Sequence, residues 1–103
     1  MPMENVLTVV WEALRQQGYC LEYEGFRLDG PEVPLICTRG DVIVGFVLQP
    51  EPPGLEEQRA LSRTLLGYIR ARRLSEIHVR WDLAWVEDGR ARLTPNAFRF
   101  APH

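Results

Sequence analysis

The chain of 103 residues carries 12 basic and 14 acidic side chains, for a formal charge of −2, and every basic residue is an arginine. The absence of lysine excludes a Schiff-base lysine, a phosphate-loop lysine and a lysine general base. Apolar residues at 46% and charged residues at 25% exclude a disordered or collagen-like chain. The length predicts one compact domain over residues 1–103.

The first predicted elements are a helix and a strand. Apolar residues recur at helical spacing over residues 3–17, and Gly18 is a typical end for such a helix. Residues 19–24 are rich in strand-forming side chains, and Gly25 is expected to end that strand.

A hairpin and a second helix are predicted next. Residues 33–38 and 42–48 are apolar runs separated by a short turn, and the second run is typical of a central strand buried on both faces. Prolines then interrupt regular structure over residues 50–54. Residues 55–73 predict a helix with apolar side chains on one side and arginines on the other.

Two further strands complete the pattern. Residues 77–85 alternate between apolar odd positions and polar even ones, which is the clearest strand signal in the chain. Asp88 and Gly89 predict a tight turn into a last strand over residues 90–94. The order α-β-β-β-α-β-β predicts an α/β domain with a mixed sheet flanked by helices.

Charge is uneven along the chain. Residues 1–58 hold ten acids and three arginines, whereas residues 59–103 hold nine arginines and four acids. Guanidinium groups match phosphate geometry, so the arginines near the second helix are the best surface candidates for nucleic acid. They are Arg59, Arg63, Arg70, Arg72 and Arg73. A solvated helix face with nearby glutamates is the alternative interpretation.

No familiar catalytic or metal-binding pattern is present. His78 stands alone on the polar face of its strand, and Cys20 and Cys37 have no activating partner in the sequence. The two cysteines predict reduced thiols in a cytoplasmic protein. The alternative is a disulfide bond between them, which requires that their strands be neighbours. No apolar run is long enough to cross a membrane. The tryptophans at positions 11, 81 and 85 are expected in the core or at an interface.

Several short motifs together resemble the YraN-like family of endonuclease-related proteins. They are Gly18-Tyr19, the segment that runs from there to Gln49, Arg80-Trp81-Asp82-Leu83 and Asn96-Ala97-Phe98. The resemblance covers most of the chain and implies a restriction-endonuclease-like, Holliday-junction-resolvase-like fold. Members of that family typically carry an acidic ligand in a Gly-Glu-Ile-Asp-Leu-Ile segment, then a Phe-Val-Glu-Val-Lys strand.

At the family's active-site positions, this sequence has residues that lack the family's catalytic side chains. Laid on the family pattern, the aspartate falls on Pro34, the glutamate on Val47 and the lysine on Gln49. A further glutamate on the first helix falls near Leu7, and only the neighbouring acid Glu32 survives. Such nucleases bind divalent cations through these carboxylates, so no metal site is expected unless a nearby acid substitutes. Asp29 and Asp41 are the candidates for that rearrangement.

Two local expectations accompany the resemblance. Because proline has no N–H, Pro34 predicts an edge strand or a bulge. Four residues match the family's C-terminal pattern and are interpreted as structural, through pairing, capping and packing. They are Arg80, Asp82, Asn96 and Phe98.

The leading hypothesis is therefore a catalytically inactive relative of a YraN-like nuclease. Its remaining role would be to bind DNA or RNA through the arginines, or to bind a protein partner. One alternative is a homodimer or interaction module without affinity for nucleic acid, using a strand edge or a patch around Trp85. The other is a nuclease with a rearranged magnesium or manganese site, in which Glu32 takes part.

Overall fold

The computed structural model describes residues 3–103, with side chains described from Val6 onward. Two helices and five strands follow one another in the predicted order. They are α1 (Met3–Gln16), β1 (Cys20–Phe26), β2 (Val33–Arg39), β3 (Val42–Val47), α2 (Leu55–Ala71), β4 (His78–Glu87) and β5 (Arg90–Phe98). None of the described helices is long and apolar enough to cross a membrane.

The five strands form one mixed sheet in the order β1-β2-β3-β4-β5. All neighbours are antiparallel except β3 and β4, which are parallel and joined through α2. At the last turn, Asp88 and Gly89 both have positive φ, which is the type I′ geometry that matches strand twist. The predicted α/β architecture, with a mixed sheet flanked by helices, is confirmed.

Each face of the sheet is covered by one helix. Val10 and Leu14 of α1 pack on Val44 and Phe46 of β3, and all four are fully buried. The other side of β3 faces α2 in a second cluster. That cluster includes Ile43, Val47, Leu61, Leu65, Tyr68, Trp81 and Leu83. Because β3 contributes to both clusters, its continuous apolar run is the centre of the core.

Three boundaries differ from the sequence prediction. Strand β1 does not end at Gly25 but passes through it, with φ +67 there, to Phe26. Helix α2 ends at Ala71, and Arg73 has φ +54, so the last arginine of the row lies beyond the helix. Strand β5 continues well past residue 94, because its pairing with β4 resumes after a bulge.

The two cysteines lie on neighbouring strands but are not bridged. Cys20 and Cys37 are free thiols, the first exposed and the second buried. Leu21, not Cys20, is the residue that pairs with Cys37 across the strands. Burial raises the pKa of the Cys37 thiol to about 12, so it remains a protonated, apolar core side chain at neutral pH.

Gly45 is required by the close approach of Trp81. A Cβ atom placed on Gly45 would lie 2.5 Å from Cζ3 of the indole, whose Nε1 donates a hydrogen bond to Ser62. We expect Gly45→Ala to lower the free energy of unfolding by about 1–3 kcal/mol, because the buried indole has no space to withdraw. Urea denaturation measures the change.

Gly54→Ala is the matched control. Gly54 precedes α2 with φ −64, and nothing lies within 4 Å of an added Cβ atom. Its effect on stability should stay below about 1 kcal/mol. Equal stabilities for the two variants would contradict the packing of Trp81 on the β3 backbone.

Candidate functional site

A cavity of about 490 Å³ opens beside the ends of β2 and β3. Residues from α1, the two strands, their flanking segments and α2 line it. They are Leu7, Glu24, Gly25, Glu32, Pro34, Val47, Leu48, Gln49, Glu57 and Leu61. Its volume lies within the range of small-ligand sites in proteins.

The cavity contains the positions that the family resemblance assigns to an active site. Pro34 on β2 and Val47 on β3 lie one residue beyond the paired Leu35 and Phe46. Gln49 follows β3, and Glu32 immediately precedes β2. Leu7, from α1, completes the set. Residues separated by up to 42 positions in the sequence therefore meet in one place.

The strand geometry at this point is irregular. Val33 packs in the cluster under α2, as Ile36 does, while Leu35 packs in the cluster under α1. The side-chain faces therefore do not alternate across Pro34. Opposite it, Gly25 has positive φ, and the Glu32 carboxylate lies 3.3 Å from where a Cβ atom of Gly25 would be. Because β2 pairs on both sides, the edge-strand alternative for Pro34 is wrong.

The cavity's donor set does not fit a divalent cation. Pro34 and Val47 have no side-chain oxygen, and the Gln49 amide donates a 2.6 Å hydrogen bond to the carbonyl of Glu51. Asp29 and Asp41 are not among the described lining residues, and Asp41 is 3.6 Å from His78 at the far end of β3. Over residues 3–103, no three His, Cys, Asp or Glu side chains are grouped so that they could hold a metal ion.

The cavity is electrostatically negative. Glu24, Glu32 and Glu57 line it, and no arginine does among the residues described. Carboxylates at the mouth of a partly closed cavity repel phosphate, and their mutual field is stronger than in open water. This side of the molecule therefore disfavours contact with a nucleic-acid backbone.

A row of arginines occupies the outer surface of α2. Arg59, Arg63 and Arg70 are exposed and fall within an arc of roughly 40° at 100° per residue. The row spans about 16 Å of helix axis. Arg73 follows beyond the helix end and is exposed too. In the described part of the chain, the guanidinium groups of these four form no ion pair or hydrogen bond.

Arg72 lies on a different side of α2 from this row, and its side chain is anchored. It caps α2, and its guanidinium carbon lies 5.9 Å from the ring centroid of Tyr68. Its Nη1 is 3.5 Å from the Tyr68 hydroxyl, which in turn donates a 2.7 Å hydrogen bond to Glu22. The helical spacing of Tyr68 and Arg72 is visible in the sequence, but the contact with Glu22 on β1 is not.

Arg80 and Asp82 form a buried ion pair on the α1 side of the sheet. Arg80 donates from Nε and Nη2 to the two carboxylate oxygens, at 2.8 and 3.0 Å. Asp82 is 3% exposed and accepts a 2.8 Å hydrogen bond from the backbone N–H of Asn96. The carboxylate of Asp82 is the largest cause of the raised pKa of Arg80. These contacts give the two residues a structural role.

The same pair joins the motifs on which the resemblance depends. Gly18 ends α1 in a Schellman motif, with φ +88 and a hydrogen bond from the N–H of Tyr19 to the carbonyl of Leu14. This turn brings the Tyr19 hydroxyl to Arg80, which donates to it. On the opposite face, Trp81 stacks on Phe98 with centroids 5.2 Å apart. No sequence pattern identifies Tyr19 as the link, because Arg80 lies 61 residues away.

A scan against protein-family models finds no match, and neither does a search of curated proteins. The resemblance to YraN-like proteins therefore depends on the sequence motifs alone.

The buried pair should dominate the stability of this region. We expect Asp82→Ala to lower the free energy of unfolding by about 3 kcal/mol, because it leaves the partly buried Arg80 without its counter-ion and the Asn96 N–H without its acceptor. Chemical denaturation monitored by tryptophan fluorescence measures the loss.

Glu87→Ala serves as the control for the loss of a carboxylate. Glu87 and Arg92 form an exposed pair at 3.5 Å, so its removal should cost less than about 1 kcal/mol. A loss for Asp82→Ala no larger than that for Glu87→Ala would show that the pair does not hold the β4–β5 bulge in place.

Proposed function

We propose that this protein is a nucleic-acid-binding domain without nuclease activity, derived from a restriction-endonuclease-like scaffold of the YraN-like type. The observation that carries the proposal is the row of exposed arginines on α2 whose guanidinium groups have no acidic partner among the described residues. Arginines engaged with carboxylates inside the fold would have lost most of their attraction for phosphate.

The arrangement of charge favours an extended anion. Arg59, Arg63 and Arg70 lie along one line of the helix, so their guanidinium groups can contact successive phosphates of one strand. The net charge of the whole chain is −2, which disfavours diffuse attraction to nucleic acid at all orientations. Binding is therefore expected to be confined to α2 and to be strongly dependent on salt.

The cavity supports the absence of catalysis in this proposal. It is lined by the positions that the resemblance assigns to an active site, yet Pro34 and Val47 offer no metal ligand, and Gln49 carries no positive charge. The remaining carboxylates repel the phosphate that a nuclease would have to admit. We infer that the scaffold has been retained while its reaction has been lost.

The alternative of a protein-interaction module has one observation in its favour. Strand β1 is an outer strand of the sheet, and Leu21 on it is 43% exposed. Open strand edges pair readily with a second chain. Sedimentation velocity across concentration separates this alternative from the leading proposal, because it predicts a dimer that forms without nucleic acid.

Removal of single arginines from the row should weaken binding and its dependence on salt. For Arg63→Gln or Arg70→Gln, we expect the slope of log affinity against log salt to fall by about one per lost phosphate contact. Fluorescence anisotropy of labelled duplex, junction and single-stranded DNA across a salt series measures both quantities.

Arg15→Gln is a matched control, because it removes the same charge from an exposed arginine on α1 that is paired with Glu12. Its binding should equal that of the unmodified protein. An absence of binding to every DNA form at low salt would overturn the nucleic-acid proposal, as would equal losses for Arg15→Gln and Arg63→Gln.

The protein should not cleave nucleic acid with either magnesium or manganese. Incubation of labelled DNA with the protein and each metal, against a buffer control, tests this expectation by gel electrophoresis. Metal-dependent cleavage that disappears in Glu32→Ala would contradict the vacated site and would instead support a rearranged one. Cleavage that persists in Glu32→Ala would indicate a contaminating nuclease.

A further inference from the structure

An exposed aromatic ring lies beside the C-terminal end of α2. Tyr23 is on β1, an outer strand of the sheet, and is 48% exposed. Its ring centroid is 5.4 Å from that of Phe26 and 6.1 Å from that of Tyr68, both at steep interplanar angles. Phe26 and Tyr68 also pack edge to face, at 5.1 Å. Two partner rings therefore hold Tyr23 in place while nearly half of it remains in water.

Tyr68 connects this ring to an arginine. One of its neighbours is Tyr23, and another is the guanidinium group of Arg72, 5.9 Å from the Tyr68 centroid. At 100° per residue, Tyr68 and Arg72 lie on one side of α2 and Arg70 on the opposite side. The exposed Tyr23 ring and the Arg72 guanidinium therefore both neighbour Tyr68, where α2 ends.

The acid nearest to this surface is engaged within the fold. Glu22 accepts hydrogen bonds from the hydroxyls of Tyr68 and Thr38, at 2.7 and 3.3 Å, with its two oxygens. Burial and this hydrogen bond raise the pKa of Tyr68 to about 12, so its hydroxyl remains a donor at neutral pH. Glu24, the next acid along β1, lines the cavity.

We propose that Arg72 and Tyr23 together bind single-stranded nucleic acid where α2 ends, with a phosphate on Arg72 and a base stacked on the Tyr23 ring. This inference depends on the proposed function and specifies its substrate. Bases in a duplex are already stacked on each other, so only an unpaired base offers its face to a side chain. Every base has such a face, so we expect the protein to prefer single strands over a duplex without preferring a particular base sequence.

The test compares three ligands and three variants by fluorescence anisotropy at one low salt concentration. Labelled oligothymidylate and oligouridylate are the single strands, and a DNA duplex of the same length is the third ligand. We expect both single strands to bind more tightly than the duplex. Tyr23→Leu should weaken single-strand binding about tenfold, the effect of one lost base stack, and should leave duplex binding unchanged.

Two other variants are the controls. Tyr23→Phe retains the ring and should bind single strands as the unmodified protein does. Leu55→Ala removes another exposed apolar side chain, 69% exposed at the opposite end of α2, and should have no effect. Oligothymidylate and oligouridylate differ in the thymine methyl group as well as the 2′-hydroxyl. Oligodeoxyuridylate, added as a fourth ligand, isolates the effect of the 2′-hydroxyl and so shows whether DNA or RNA is preferred.

A second measurement uses the unmodified protein and does not depend on the folding of a variant. The aromatic NMR resonances of Tyr23, assigned from the spectrum of Tyr23→Phe, should move upfield when oligothymidylate is added and stay in place when the duplex is added. Ring-current shifts of this kind report a base lying on the ring.

Failures of the two proposals are distinguishable. Equal binding of duplex and single strands, with an unchanged Tyr23 resonance, would overturn the single-strand inference and leave the nucleic-acid proposal standing. No binding of any ligand would overturn both. A change of oligomeric state in Tyr23→Leu, without a loss of single-strand affinity, would also overturn the inference and assign the β1 edge to a contact between copies of the chain.

Discussion

The buried ion pair between Arg80 and Asp82 is the interaction on which the rest of the fold depends. It ties β4 to the end of α1 through Tyr19 and to β5 through the backbone N–H of Asn96. A charge that is 3% exposed is tolerated only because its partner and its hydrogen bonds are all in place. The bulge in β5 and the positive φ of Asn96 are the local consequences of this requirement.

This network gives a structural role to the motifs that resemble the YraN-like family. The Gly-Tyr, Arg-Trp-Asp and Asn-Ala-Phe segments are distant in sequence but contact one another in the structure. Their contacts give them a structural role in this fold. The positions that the resemblance assigns to an active site form a separate set around the cavity, where Pro34 and Val47 carry no ligand atoms. The two sets of residues therefore meet different physical demands.

The charges of the chain are partly separated in space. Glu24 and Glu32 line the cavity, whereas the arginine row extends along the outer surface of α2. Glu57 lies between them, since it lines both the cavity and a shallow pocket with Arg59 and Arg63. Under the proposed function, nucleic acid approaches α2 and avoids the cavity, and Tyr23 and Arg72 add a preference for unpaired bases. The excess of acids over arginines in the whole chain does not oppose this, because screening confines each field to about 10 Å.

The fold was largely predictable because its signals are local. The alternation over residues 77–85, the apolar run of β3 and the Gly18 helix end each depend on near neighbours in sequence. What could not be predicted depends on contacts between distant residues. Beyond residue 94 of β5, the Asn96 N–H bonds the distant Asp82 carboxylate, and beyond Gly25 of β1, Phe26 pairs with Val33.

The candidate site was predictable only in part, for the same reason. The vacated positions Pro34, Val47 and Gln49 came from the family pattern, and the arginine row came from helical spacing. Glu24 and Glu57, which make the cavity negative, come from elements that no sequence pattern connects. Tyr23 likewise had no signal, because its neighbours Tyr68 and Arg72 lie on another element and become visible only when β1 packs beside α2.

Backbone NMR shifts during titration with oligothymidylate locate the binding surface residue by residue, so they test whether nucleic acid binds at α2 and Tyr23. We expect the shifts to concentrate along residues 59–73 and around Tyr23, and residues 32–34 and 47–49 at the cavity to stay unchanged. Shifts centred on the cavity would contradict this expectation and would return the site to the place where the nuclease family has its chemistry. An absence of shifts at every residue would show that the protein does not bind this nucleic acid.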